Sequence, residues 1–114
     1  MQINKELLKG STTILILSLL NRKEMYGYEM IKEIEVRSKG IFSFKEGTLY
    51  PILHGLENEN FIESYWDCGE GKRKRKYYKI TESGGNILKE KESEWKLFSS
   101  TVNEVLGEGE LCNQ

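Results

Sequence analysis

Six of the eight residues from Lys72 to Lys79 are basic: Lys72, Arg73, Lys74, Arg75, Lys76 and Lys79. Cations packed this closely oppose one another, and only Asp67 and Glu70 stand near enough in sequence to offset them. Such a cluster suits the gripping of phosphate, where each contact releases counterions and steepens the salt dependence by about 0.9. The plainer alternative is a solvated charge run. His54 is the only histidine. With no second ligand at motif spacing it supports neither a metal centre nor acid–base catalysis. It is either a contact to a base or phosphate or simply an exposed side chain. Cys68 and Cys112 lack clustered histidines, so no zinc site is expected. In a reducing compartment both are free thiols. Cys68, beside the cations, is either inert or redox-responsive. No nucleophile–base constellation stands out, so neither an enzyme nor a cofactor is expected.

The elements that must carry these residues fit within 114 residues and 13.3 kDa, enough for one domain. Net charge is −1, but it is unevenly divided. Residues 1–81 hold 14 Lys/Arg against 11 Asp/Glu, whereas residues 82–114 hold 3 against 7. Screening limits exposed charges to about 8–10 Å, so the local excess governs binding. Lys5 and Lys9 before the apolar run Ile14 to Leu20 mimic a short signal peptide, but Asn21-Arg22-Lys23-Glu24 follows in place of small residues. No stretch reaches the ~20 apolar residues of a membrane span. The chain reads as cytoplasmic, with no membrane partner.

Hydrophobic periodicity predicts a helix over 5–20, apolar around most of its girth, and a second over 27–38. On the second, Tyr28, Ile31 and Ile34 form an inward stripe, and Glu29–Lys32 and Glu33–Arg37 form surface pairs. Gly40 ends it. A third helix over 46–59 presents Leu49, Ile52, Leu53 and Leu56 to the core. Pro51 requires either a start near Thr48 or an irregular first turn. Asn60 suits the left-handed residue after it. Residues 61–66 and 76–80 are strands of a hairpin whose tip and second arm carry the cations. Tyr77 and Tyr78 alternate faces, one of them inward. Thr81 caps a last helix reaching Leu106. The fold class is mainly α with a small β-hairpin: a winged helix-turn-helix plus a C-terminal dimerisation helix. It divides into a DNA-binding domain over 1–81, the dimerisation helix over 82–106 and a flexible tail over 107–114.

In this arrangement the third helix enters a DNA major groove and the hairpin touches the flanking backbone. The third helix offers Lys45, Thr48, Tyr50 and His54 away from its core face, and Lys72, Arg73, Lys74 and Arg75 add phosphate contacts. Gly47 implies a close approach, to DNA or to the neighbouring helix. On the last helix Leu88, Trp95 and Val102 are seven apart, with Phe98 and Val105 three later. That is a heptad seam, and a second copy covers it through Leu88, Trp95, Val102 and Val105. Trp95 is either plain packing or a platform for a ligand. The alternative to a DNA-binding regulator is a winged-helix module that binds protein and no specific DNA.

Several segments in register resemble the PadR family of bacterial transcriptional regulators. They are Tyr26-Gly27-Tyr28-Glu29, Gly47-Thr48-Leu49-Tyr50-Pro51, Leu56-Glu57, Tyr65-Trp66, Arg75-Lys76-Tyr77-Tyr78, Ile80-Thr81 and Gly84. The resemblance spans residues 5 to about 106, and Asn60 stands where the family usually has glycine. It implies a homodimer, binding to double-stranded operator DNA with two-fold symmetry, and repression. Likeness to the family's short, multidrug-sensing subgroup further implies a pore at the dimer centre, where planar aromatic compounds stack between tryptophans. There the ligand-binding residues are Ile14, Leu17 and Ser18 of the first helix and Lys91, Trp95, Phe98 and Ser99 of the last. No carboxylate is assured on that face, so a strong preference for cationic compounds is not implied.

Overall fold

The computed structural model describes residues 3–68 and 73–107. Lys72, Glu70, Cys112 and all of the expected tail beyond Gly107 lie outside them. The elements run α1 (Lys5–Lys9), α2 (Thr12–Arg22), β1 (Met25–Tyr26), α3 (Gly27–Arg37), α4 (Glu46–Asn58), β2 (Ile62–Asp67), β3 (Arg75–Ile80) and α5 (Glu82–Leu106).

The single helix expected over 5–20 is broken in two. The Leu8 carbonyl accepts the Ser11 amide at 3.0 Å and the Thr12 hydroxyl at 3.1 Å. A hydroxyl that competes for a helix carbonyl, next to a glycine, ends the regular ladder. The expected hairpin also gains a strand. β1 pairs antiparallel with β3, Met25 opposite Tyr78 and Tyr26 opposite Tyr77, so the sheet has the order β1-β3-β2. β2 and β3 pair from Ile62–Ile80 out to Asp67–Arg75.

The core lies between the helices and the inner face of this sheet. Ile16 and Leu17 of α2, Met30 of α3, Leu49 and Leu53 of α4 and Ile62 of β2 are its most enclosed members. Tyr78 is the inward tyrosine of its pair. Tyr28, expected on the inward stripe, is 48% exposed instead, with the Lys32 ammonium 5.4 Å from its ring centroid. Glu33–Arg37 forms at 2.7 Å, but Glu29 bonds Lys23 at 2.9 Å rather than Lys32. α3 ends through Lys39 and Gly40 at φ of 55° and 82°. Ser38 Oγ accepts the Phe42 amide at 2.9 Å, fixing the turn toward α4. α4 starts at Glu46, two residues before Thr48, and Pro51 sits within it on the exposed side. Asn60, at φ 64°, turns the chain from α4 into β2.

α5 begins under tight restraint. Thr81 Oγ1 accepts the Gly84 amide at 2.9 Å and donates to the Asn60 carbonyl at 2.7 Å. A Cβ on Gly84 would lie 2.0 Å from the Phe61 carbonyl oxygen. Leu88, expected on the seam, is 2% exposed and sits in the chain's own core. It therefore offers no surface to a second copy, because its period coincides with the docking of α5 onto its own domain. Beyond it Trp95, Leu97, Phe98, Val102, Val105 and Leu106 are all exposed. With 25 residues, α5 is about 37 Å long, consistent with the 60 Å longest dimension of the chain. No helix among the described residues is long and apolar enough to cross a membrane.

Candidate nucleic-acid interface

α4 turns Leu49, Leu53 and Leu56 inward, which leaves Thr48, Tyr50 and His54 exposed, with Lys45 exposed just before its first turn. Tyr50 has a seat: a Cβ on Gly27 would lie 2.7 Å from its hydroxyl oxygen, so the ring rests over the start of α3. Partial burial, followed by the Glu46 charge, raises its pKa above the usual phenol value and keeps the hydroxyl protonated. Gly47 has no neighbour within 4 Å of a built Cβ. A close approach to a neighbouring helix is thereby corrected; among the described residues the tight glycines are Gly27 and Gly84.

The hairpin separates its cations into two sets. Lys76 reaches Glu57 at 3.9 Å, and Lys79 reaches Glu63 at 3.5 Å. Glu57 also accepts the Ser64 hydroxyl, which ties the end of α4 to β2. Arg73, Lys74 and Arg75 are exposed and form no ion pair with a carboxylate among the described residues. The Arg75 guanidinium lies 4.6 Å over the Tyr26 ring. Between α4 and the hairpin opens a cleft of about 410 Å³. Tyr50 and His54 line one side and Trp66, Lys74, Arg75 and Lys76 the other, with Tyr26, Gly27 and Tyr78 also in its lining. A cationic hairpin wall and the aromatic rings of Tyr26, Tyr50, Trp66 and Tyr78 make this a surface suited to a sugar–phosphate chain. Of the expected contacts, Tyr50, His54, Lys74 and Arg75 converge here. Lys45, Thr48 and Arg73 lie outside the cleft lining. Trp66 and Tyr26 were missed as members of the site.

A second concave region lies along α5. Trp95, 48% exposed, faces Phe98 with ring centroids 6.1 Å apart. One groove of about 440 Å³ joins them to Ile14, Lys91, Glu6 and Glu94. Another of about 500 Å³ lies against Ile14, Ser18, Arg22, Phe42, Glu92 and Trp95. One expected residue is corrected. Leu17 is wholly buried in the core and reaches neither groove. Ser99 lines neither, its hydroxyl donating to the Lys96 carbonyl at 3.3 Å. Carboxylates, none of them assured by the sequence, also line the grooves: Glu6, Glu92 and Glu94. The spacing of Lys91, Glu94, Trp95 and Phe98 places them together on one helix face, a signal already present in the order of residues.

Residues 16–90 match the family described as transcriptional regulator PadR-like. The chain belongs to the PadR-like family of transcriptional regulators. A solved transcriptional regulator from Clostridium thermocellum superposes with a TM-score of 0.82 at 34% identity, covering 90% of this chain and 96% of that one. A PadR family regulator from hypervirulent Clostridium difficile is 39% identical, with a TM-score of 0.73 and coverage of 85% and 99%. The transcriptional regulator YqjI of Escherichia coli is 28% identical over 93 residues, which is 82% of this chain and 43% of that protein.

The fold of this PadR-like chain is thus mostly helical with a small antiparallel sheet, a winged helix followed by a long helix. The matched PadR-like residues include α4, both hairpin strands and the buried start of α5. They stop before Trp95, so the groove holding Lys91, Trp95 and Phe98 lies beyond the family match, while Ser18, Arg22 and Phe42 of the second groove fall within it. The solved relatives named above are regulators of transcription, not enzymes.

Proposed function

We propose that two copies of this PadR-like chain join along α5 and act in the cytoplasm as a repressor on operator DNA. Each protomer sets α4 into a major groove, reading bases with Thr48, Tyr50 and His54. Lys45 and the hairpin cations Lys72, Arg73, Lys74 and Arg75 hold phosphates. The observation that carries this reading is the sorting of the hairpin charges: Lys76 and Lys79 are paired within the fold, and Arg73, Lys74 and Arg75 face outward beside α4. The exposed apolar side chains Trp95, Phe98, Val102 and Val105 supply the face for the second copy.

Planar aromatic compounds are the effector class on this reading. Such a compound stacks on Trp95 with Ile14, Ser18, Lys91 and Phe98 around it. Occupancy changes the spacing of the two α4 helices, which must fit half-sites about 34–36 Å apart. The compound weakens the operator complex by its differential affinity for the mis-spaced dimer and by no more.

The test is fluorescence anisotropy of a labelled duplex taken from upstream of the chain's own coding region, titrated across salt. Five cations per protomer, ten in the dimer, predict a log–log slope approaching about −9. Absent or salt-insensitive binding supports the protein-interaction alternative. For the effector, tryptophan fluorescence is titrated with planar aromatic dyes, and Trp95→Ala abolishes the response. Unchanged dye affinity in Trp95→Ala removes the effector half.

A further inference from the structure

Arg75 is held differently from its basic neighbours. Lys76 and Lys79 lie over the rings of Tyr78 and Tyr65 at 5.5 and 6.0 Å and each also meets a carboxylate, whereas the Arg75 guanidinium lies closer, 4.6 Å over Tyr26, with no carboxylate in ion-pair range among the described residues. The two arrangements have different consequences. A carboxylate occupies the N–H fork of an arginine, while an aromatic face contacts the flat side and leaves the fork available. Tyr26 is itself firmly placed. Its ring meets Tyr77 edge-on at 5.5 Å, and Tyr77 stacks on Tyr65 at 5.7 Å. The residue before it, Met25, is buried and pairs with Tyr78 across the sheet. The two-residue strand β1 thus brings one aromatic ring to the cleft between α4 and the hairpin, beneath the one arginine among the described residues of its lining.

We propose that Tyr26 is a positioning residue that presents the Arg75 fork to a phosphodiester seated in this cleft, with Tyr50 and His54 on the opposite wall. This rests on the reading that α4 and the hairpin face DNA. It adds that the cleft, rather than the hairpin tip, makes the geometrically fixed backbone contact. An unstacked arginine at an exposed strand end must lose side-chain freedom on binding, and stacking on Tyr26 removes that loss beforehand.

The test uses the full chain and the same labelled duplex, with affinity measured between about 50 and 200 mM salt. Tyr26→Leu weakens binding about tenfold and lowers the salt slope by about one per protomer, about two for the dimer, as for one lost phosphate contact in each copy. Tyr26→Phe keeps the ring and retains wild-type affinity. In an Arg75→Ala background, Tyr26→Leu costs nothing further. Arg75→Lys keeps the charge, touches no core residue and still weakens binding, because an ammonium has no planar fork. Unchanged affinity in Tyr26→Leu or in Arg75→Lys overturns the proposal. So does an equal loss from Tyr26→Leu with and without Arg75. If the wild-type chain itself shows no salt-dependent binding, the DNA-facing reading fails first, before any variant is compared.

Discussion

Tyr65 shows how much a single side chain in this sheet is governed by distant partners. Its hydroxyl donates to Glu24, 41 residues earlier. That hydrogen bond first, then burial and the Glu24 charge, pushes its pKa up to about 12. The folded chain therefore favours the neutral phenol. Its contribution to stability is complete below the ordinary value near 10 and is lost as pH climbs from about 10 to about 12. Ultraviolet titration should show a late phenolate step that disappears in Tyr65→Phe and moves down in Glu24→Gln; a step unmoved by Glu24→Gln contradicts the assignment. Such long-range pairs mark where reading by sequence stops. Thr48, Tyr50 and His54 were legible on α4 because one helical period separates core from surface, whereas Lys45 stands just before the helix and was legible only by its charge. The left-handed Asn60 and the Thr81 cap were legible because residue type dictates both. Tyr26 was visible as a member of a motif, but its partner Arg75 lies far along the chain and no local period links them. Leu17 was misplaced because α2 is apolar on several sides, and only packing decides which side faces inward.

Among the elements, α5 joins two tasks that one heptad pattern cannot distinguish. Its first turns are clamped to the α4–β2 connection, and its remainder is exposed. Adjacent glycines provide a sharp comparison. Gly84→Ala drives a methyl into the Phe61 carbonyl and should destabilise by about 1–3 kcal/mol. Gly85→Ala meets nothing within 4 Å and should stabilise by about 0.5–1 kcal/mol through helix propensity. Urea unfolding of both variants checks the pair, and equal effects would contradict the clamp. Leu88 and Val105 divide in the same way. Leu88→Ala should lower domain stability by about 2–5 kcal/mol. Val105→Ala should leave the domain intact and weaken self-association, measured by dilution. β1 and the break at Gly10 escaped detection for a common reason: a two-residue strand and a two-residue interruption are shorter than any period that could reveal them.

At the scale of the whole molecule, the winged domain and the exposed length of α5 stand in a fixed relation, because Gly84, Thr81 and Leu88 leave the helix one direction in which to depart. An apolar stripe on that helix is costly in water, and burying Trp95, Phe98, Val102 and Val105 against a second copy removes it at about 25 cal/mol per Å². Joined this way, two domains present two α4 helices to one duplex. The central claim is that such a pair, and not a lone chain, binds DNA. Sedimentation velocity of the protein at micromolar concentration, alone and with the labelled duplex, tests it directly. The account predicts a species of twice the chain mass that binds the duplex at two chains per DNA molecule. A folded single chain that stays single at that concentration, or binds the duplex one to one, would contradict it.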